Sequence, residues 1–390
     1  MIQKFSADYI FTEDGKLTAG KVIVTNGSGD ILSIDNTLDH DGSSVHFFNG
    51  LIIPGFVNTH CHLELSHMKG KVDTGTGLLP FLKNVVTFRD INQDIIDHAI
   101  KDADDEMYMN GIVAVGDISN KIDTSHVKSE SRMDYHTFVE MFDFLQPSLT
   151  DSTIQQYKPV MQGQSIERYN KKSYVPHAPY TVSPDLFNFI NENNLSSQTI
   201  SIHNQETLDE NELFETGTGG FMDFYKGFGF TLDHFKPTGK SSIHYILANL
   251  KPEFKTIFVH NTLTTRDDIQ SALSWNKQCF WATCPNANLY IENRLPDYKV
   301  FTETNAKVTI GTDSLTSNWQ LSIWEEIRTI RKYQSYLPLE TLLTWATING
   351  AEALGYEDRL GSITVGKRPG LVLVEGQDVL SHNNRISRLI

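Results

Sequence analysis

Cysteine is scarce: 390 residues contain only Cys61, Cys279 and Cys284. Three thiols make no even disulfide framework, so a small stapled extracellular fold is excluded and a reducing cytoplasm is expected. Long apolar runs are missing as well, and none approaches the roughly 20 residues of a membrane-spanning helix. The opening stretch "MIQKFSADYIFTEDGKLTAG" has no basic start followed by an apolar segment, so no secretory leader is read there. Basic charge is in deficit, with 33 Lys and Arg against 48 Asp and Glu and a net charge of −15. That balance argues against nonspecific affinity for nucleic acid or anionic membranes and leaves small-molecule partners open. Low-complexity segments do not occur. What is present is an ordinary globular composition, 39% hydrophobic and 21% charged, in a chain long enough for two domains or one large barrel with an appendage.

The two ends share one style and the middle has another. "KVIVTN" meets "DILSID" across Asn26-Gly27-Ser28-Gly29, a hairpin signal. "GSITVGKRPGLVLVEG" (361–376) and the last apolar run, 386–390, return to this strand-rich style. Residues 1–54 and 356–390 are therefore expected to form one small β-sandwich domain from both termini. Between them, strand-like runs alternate with helical patterns. The strand candidates are 55–62, 112–118, 135–142, 173–180, 199–204, 256–261, 278–285 and 307–314. Helical patterns include 91–109, 185–192, 265–275 and 323–333. Eight such units over residues 55–355 suit an α/β fold, a (β/α)8 TIM barrel, which typically needs about 250 residues and grows by insertion. A doubly wound sheet is the alternative, but it would not normally use eight parallel strands.

Polar residues fall at the ends of these strands. The first ends His60-Cys61-His62; the fourth carries His177, the fifth His203, the sixth His260 and the eighth Asp313. In a barrel those ends converge on one rim. Alternation puts His60 and His62 on one face and Cys61 on the other. One strand-end histidine alone is ordinarily a hydrogen-bonded core residue. Four histidines and an aspartate on one rim instead suit a metal site, for Zn²⁺ or, less specifically, Fe or Mn.

"PGFVNTHCH", "HAPYTVS" (177–183), "HNQE" (203–206), "VHNTLT" (259–264), "GTDS" (311–314) and "TSNWQLSIWEEIR" (316–328) occur in this order. In that order they resemble the amidohydrolase superfamily, and within it the metal-dependent deaminase branch. That branch includes adenosylhomocysteine, methylthioadenosine, guanine and cytosine deaminases, and chlorotriazine hydrolases. The resemblance covers essentially the whole chain. It implies that His60, His62, His203 and Asp313 hold one divalent metal, zinc before iron or manganese. It further implies Asp313 as proton acceptor, Glu206 as proton shuttle to a substrate ring nitrogen, and His260 as a hydrogen-bonding partner of the attacking oxygen. Two-metal members carry a bridging lysine at the end of strand four; here that end reads "VPHAPY", with Lys171 and Lys172 at the strand's start, so a mononuclear site is expected.

The implied reaction is hydrolysis of a non-peptide C–N bond, deaminating an aminopurine nucleoside or related small heterocycle. A cyclic-amide or halo-heterocycle hydrolase is the alternative, and a non-catalytic scaffold the second. "HLELSH" after the metal histidines is similar to the aminodeoxyfutalosine deaminase group, which implies substrate contact by Glu64. His177 is expected against the substrate ring, and Trp319 or Phe81 as stacking platforms. The Gly- and Phe-rich segment around 217–242 reads as a lid. Members of the family are often dimers or larger, so a homo-oligomer is compatible. Other motifs fail: "PTGKSS" (237–242) has His234 where a phosphate loop needs glycine, "TGTGG" (216–220) lacks a third glycine, and His62-Leu63-Glu64 has no following P-C-x-x-C. Cys284 reads as a buried thiol.

Overall fold

Residues 2–376 and 384–390 are described by a computed structural model of the chain. Five strands open it: β1 (Gln3–Phe11), β2 (Leu17–Thr18), β3 (Lys21–Thr25), β4 (Ile31–Asn36) and β5 (His46–Pro54). The middle supplies β6 (Phe56–Cys61), β7 (Ile112–Ser119), β8 (Asp134–Met141), β9 (Lys171–Pro176), β10 (Thr199–Asn204), β11 (Lys255–His260), β12 (Cys279–Thr283) and β13 (Lys307–Ile310). The chain ends with β14 (Leu371–Glu375) and β15 (Ile386–Arg388). Strands β6 to β9 pair in order as one parallel four-stranded sheet, and β10 to β13 as another. Parallel strands covered by helices are buried on both faces, which is why Ile112–Ser119 and Thr199–Asn204 expose almost nothing.

The two parallel sheets touch at both edges. At one, His203 N–H donates to the His177 carbonyl at 2.9 Å, and the Ser173 hydroxyl to that of Thr199 at 2.7 Å. At the other, the Thr312 and Asp313 N–H groups both reach the His60 carbonyl at 3.0 Å, and the Thr59 and Thr309 hydroxyls lie 2.8 Å apart. The terminal strands make a separate mixed sheet, ordered β15-β14-β5-β1-β3-β4 with β2 on β1. One face of it packs Phe5, Ile10, Ile23, Ile52 and Leu371 into a small core of its own.

Helices begin where capping residues predict them. Asn92 accepts from the Asp94 N–H at the start of Gln93–Met109, and Ser183 precedes Pro184 at the start of Pro184–Asn193. Thr265 and Asp268 form a reciprocal capping box on Arg266–Trp275. Among the described residues, no helix is long and apolar enough to cross a membrane.

Candidate active site

Parallel pairing sends the strand ends of the two sheets to a common rim, and there the polar residues meet. The His60 and His62 Nε2 atoms are 3.1 Å apart, and Asp313 Oδ1 lies 3.6 Å from the first and 3.5 Å from the second. His203 joins them, its ring centroid 4.9 Å from that of His60 and 5.4 Å from that of His62. His203 Nδ1 donates to the His177 carbonyl at 2.7 Å, which leaves its Nε2 bare. All four side chains are buried. Burial and neighbouring imidazoles hold His62 and His203 well below the ordinary histidine range, so both are neutral. Burial alone would raise the Asp313 carboxyl, but the His60 hydrogen bond and the nearby His62 and His260 outweigh it and hold the group below its ordinary range.

This donor set fits a divalent metal. A tetrahedral zinc site with bonds of about 2.0–2.1 Å has ligand–ligand edges of about 3.3 Å. The His60–His62 and histidine–Asp313 spacings of 3.1 to 3.6 Å are close to that edge. Glu140, His177 and His203 also lie close enough for a three-residue group. There, however, His203 Nδ1 already carries the proton it gives to a carbonyl, so that face offers no lone pair.

Local backbone geometry serves this convergence. Gln205, His260, Asn261 and Asp313 all have positive φ, between 49° and 72°, which side chains other than glycine adopt only under constraint. Glu210 supplies part of that constraint, its carboxylate accepting the Gln205 N–H at 2.7 Å and the Glu206 N–H at 3.0 Å. The glycine of "GTDS" has a steric reason: a Cβ on Gly311 would stand 2.8 Å from His60 Cβ and 2.9 Å from its carbonyl oxygen. Cys61 is fully buried, and burial pushes both its thiol and that of Cys284 upward, so neither is a thiolate.

Glu206 and His260 face one another, Oε1 to Nε2, at 3.7 Å. Burial, with the Asp313, Glu210 and Glu292 carboxylates adding to it, raises Glu206 well above the ordinary range, which favours the protonated acid. The Asn288 side chain orients His260. Its Nδ2 points to the Thr262 hydroxyl at 3.2 Å and the His260 carbonyl at 3.4 Å, so its Oδ1 accepts from His260 Nδ1 at 2.9 Å. His260 therefore keeps its proton on Nδ1 and presents a bare Nε2, and burial lowers its pKa to about 4.

A cavity of about 950 Å³, counting space open to solvent, reaches this cluster. His62, His177, His203, Glu206, His260 and Asp313 line its floor. Its mouth is apolar. The helix Leu78–Phe88 turns Leu78, Phe81, Leu82 and Val85 towards it, at helical spacing. Phe142, Phe144 and Phe224 complete the wall, and Phe230 stacks on Phe144 at 5.3 Å. The 217–242 segment thus contributes Phe224 from the helix Gly220–Gly227. His177 lines the cavity, with Nδ1 2.8 Å from the Thr181 hydroxyl. Glu64 and Trp319 are not brought into this lining. Glu64 is buried behind it, accepting from Arg89 at 2.9 Å and from the Asn120 and Lys121 N–H groups at 2.9 and 3.0 Å. It positions Arg89 and Asn120, which do line the cavity. Trp319 is half exposed and packs on Tyr290 at 5.4 Å.

Sequence reasoning missed Glu140, Glu210, Asn288 and the apolar helix face. Glu140 stands 3.5 Å from His203 Nδ1, and its Oε1 has no hydrogen-bond partner among the described residues. Burial raises its pKa to about 8. The signal for Glu140 was a carboxylate inside the apolar run "YHTFVEMF"; for the helix it was the apolar spacing in "LLPFLKNVVTF".

Histidines and an aspartate gathered at the ends of parallel strands, with a buried carboxyl group beside them, define the class of metal-assisted hydrolases. Residues 51–388 match the amidohydrolase family, and the chain belongs to it. An adenosine deaminase of Helicobacter pylori is 29% identical over 350 residues, covering 88% of this chain and 83% of that protein. An aminodeoxyfutalosine deaminase of Nitratiruptor is 27% identical, covering 85% and 80%. A 5-methylthioadenosine/S-adenosylhomocysteine deaminase of Bacillus cereus is 26% identical, covering 96% and 84%. Among solved structures, the H. pylori aminofutalosine deaminase in complex with methylthio-coformycin superposes with a TM-score of 0.80 at 24% identity, covering all of both chains. An adenosine deaminase of Xanthomonas campestris with bound zinc gives 0.75 at 21% identity, covering 96% and 84%. These likenesses establish an α/β fold of the TIM-barrel type.

Proposed function

We propose that the chain hydrolytically deaminates an aminopurine nucleoside or a close heterocyclic relative, releasing ammonia. The carrying observation is that one cavity is lined by His62, His203 and Asp313 of the four-donor cluster and by both members of the Glu206–His260 pair, with His60 buried behind and 3.6 Å from Asp313. His60, His62, His203 and Asp313 would hold the metal, and zinc fits their nitrogen and oxygen donors. When bound, such an ion supplies Lewis acidity, lowering the pKa of water so that a nucleophile exists near neutral pH. His260, bare at Nε2, accepts a hydrogen bond from the incoming water and orients it. Asp313 accepts the proton that the attacking water gives up. Glu206 delivers its proton to a ring nitrogen as the neighbouring carbon becomes tetrahedral; Asp313 then passes a proton to the departing amine, and Glu206 recovers one from the hydroxyl that becomes the carbonyl. The apolar mouth suits the body of a nucleoside with a hydrophobic substituent, while Arg89 and Asn120 offer the polar contacts there. We also infer that the two parallel sheets close into one eight-stranded barrel over residues 55–355. Residues 1–54 and 356–390 would form the small β-domain, although residues 1 and 377–383 lie outside those described. The hydrogen bonds along both edges support the closure.

The test is ammonia release from the zinc-loaded protein across adenosine, methylthioadenosine, adenosylhomocysteine, aminodeoxyfutalosine, guanine and cytosine. One or more of the four adenosine-type compounds should turn over in preference to guanine and cytosine. Silence on all six with opening of a cyclic amide would remove the deaminase reading. Replacing Asn288 by alanine should lower kcat by about 10- to 100-fold, because the histidine it orients is free to turn. KM should move little, since Asn288 does not line the cavity; steady-state kinetics on the preferred substrate would separate the two effects.

A further inference from the structure

We propose that the chain binds a small phosphate-bearing anion in an arginine-lined cavity on the rim opposite the candidate active site. The strands bring this place together by their starts rather than their ends. Tyr108 closes the helix before β7, Arg132 precedes β8, and Arg168 and Tyr169 precede β9. Arg359 and Arg368 arrive from the segment before β14, and Arg388 sits on β15. An open cavity of about 1040 Å³ is lined by all five arginines. The protein as a whole carries a net charge of −15, so such a concentration of cations is not a consequence of composition.

Carboxylates match only part of this charge. Arg132 pairs with Asp105 at 3.0 Å and Arg359 with Asp134 at 2.7 Å. Arg388 gives its hydrogen bonds to backbone oxygens of Tyr108, Ile112 and Ile390. Arg168 reaches the Ser131 carbonyl, and the Arg368 guanidinium has no partner among the described residues. Neither Arg168 nor Arg368 has a carboxylate within ion-pair distance among the described residues. The like charges are also crowded. Arg132 and Arg388 cover the Tyr108 ring at 3.6 and 3.9 Å from its centroid, and Arg359 lies 3.2 Å from that of Tyr169. Stacking fixes the planes of these guanidiniums before any ligand arrives, which lowers the entropy lost on binding. Burial and the neighbouring Arg132 lower the pKa of Arg388, the mark of a cation lacking enough counter-charge. Guanidinium forks match the oxygens of a phosphate group better than those of a monovalent ion, and a cleft lined by one sign concentrates such anions. The overall negative charge disfavours a polyanion as long as a nucleic acid, which leaves a small phosphate, free or carried on a nucleoside.

Titration calorimetry with inorganic pyrophosphate, and separately with ADP, tests this on the zinc-loaded protein. Saturable binding that weakens as salt is added is expected. The tighter of the two probes tells a free phosphate from a nucleotide. The double variant Arg168→Ala/Arg368→Ala should bind at least about tenfold more weakly, because it removes charge-assisted hydrogen bonds. Its zinc content and any ammonia-releasing activity should be unchanged. Arg368→Ala alone, at an exposed side chain whose guanidinium has no partner among the described residues, serves if the double variant folds poorly. No saturable heat with either probe, or equal binding by wild type and Arg368→Ala, would overturn the proposal and leave the arginines as packing between the terminal sheet and the barrel.

Discussion

The Glu206→Gln variant is expected to keep its metal and lose turnover by about 10²- to 10⁴-fold, the range a positioned general acid contributes. Glutamine preserves the size of the side chain and a hydrogen-bond donor, but it cannot transfer a proton. Glu206 lies outside the four-donor cluster and meets His260 instead, so metal retention should not depend on it. Its N–H is held by Glu210, and that bond survives the substitution. The loss should therefore appear in kcat, with bound metal at the wild-type level by elemental analysis. Turnover within tenfold of wild type would take Glu206 out of the mechanism.

Asp313→Asn should be more damaging, at least about 10³-fold in kcat, because the proposed reaction gives this one carboxylate two roles. It is the only anion among the four donors, and in the proposed reaction it is the base that takes the proton. The Ser317 hydroxyl donates to its Oδ2 at 2.6 Å, which directs Oδ1 towards His60 and His62. Loss of charge should lower zinc retention. Added zinc should restore occupancy without restoring turnover, which separates the two roles. If zinc restored both, Asp313 would be a ligand only.

Much of this arrangement was legible in the residues because chemistry and periodicity agreed. Every strand of the two parallel sheets overlaps one of the eight runs recognisable by their β-branched and aromatic residues, with β7, β8, β9 and β11 reaching one or two residues past the expected bounds. His60, His203 and His260 fall on strands, with His62 one residue and Asp313 three beyond a strand end. A strand end is a position that sequence alone can locate, so the residues there could be named together. Side chains that act through others were not legible. Glu64 follows His60 and His62 closely enough to be read as a substrate contact, yet its carboxylate is filled by Arg89 and two backbone N–H groups. Arg89 comes from a distant turn, and no local pattern announces that meeting. Asn288 was invisible for the same reason, since its bond to His260 joins residues on different units of the fold. The arginine cavity gathers six separate segments, and in a chain with an acid surplus nothing along the sequence marks it.

The central claim is that water replaces an amino group on a substrate ring carbon. The direct measurement is mass spectrometry of the product formed by zinc-loaded protein in water enriched in heavy oxygen, using the best substrate from the ammonia screen. One heavy oxygen atom per product molecule, with one ammonia released for each, is the result that hydrolytic deamination requires. Ammonia without label in the product, or a labelled product that retains its amino group, would contradict it.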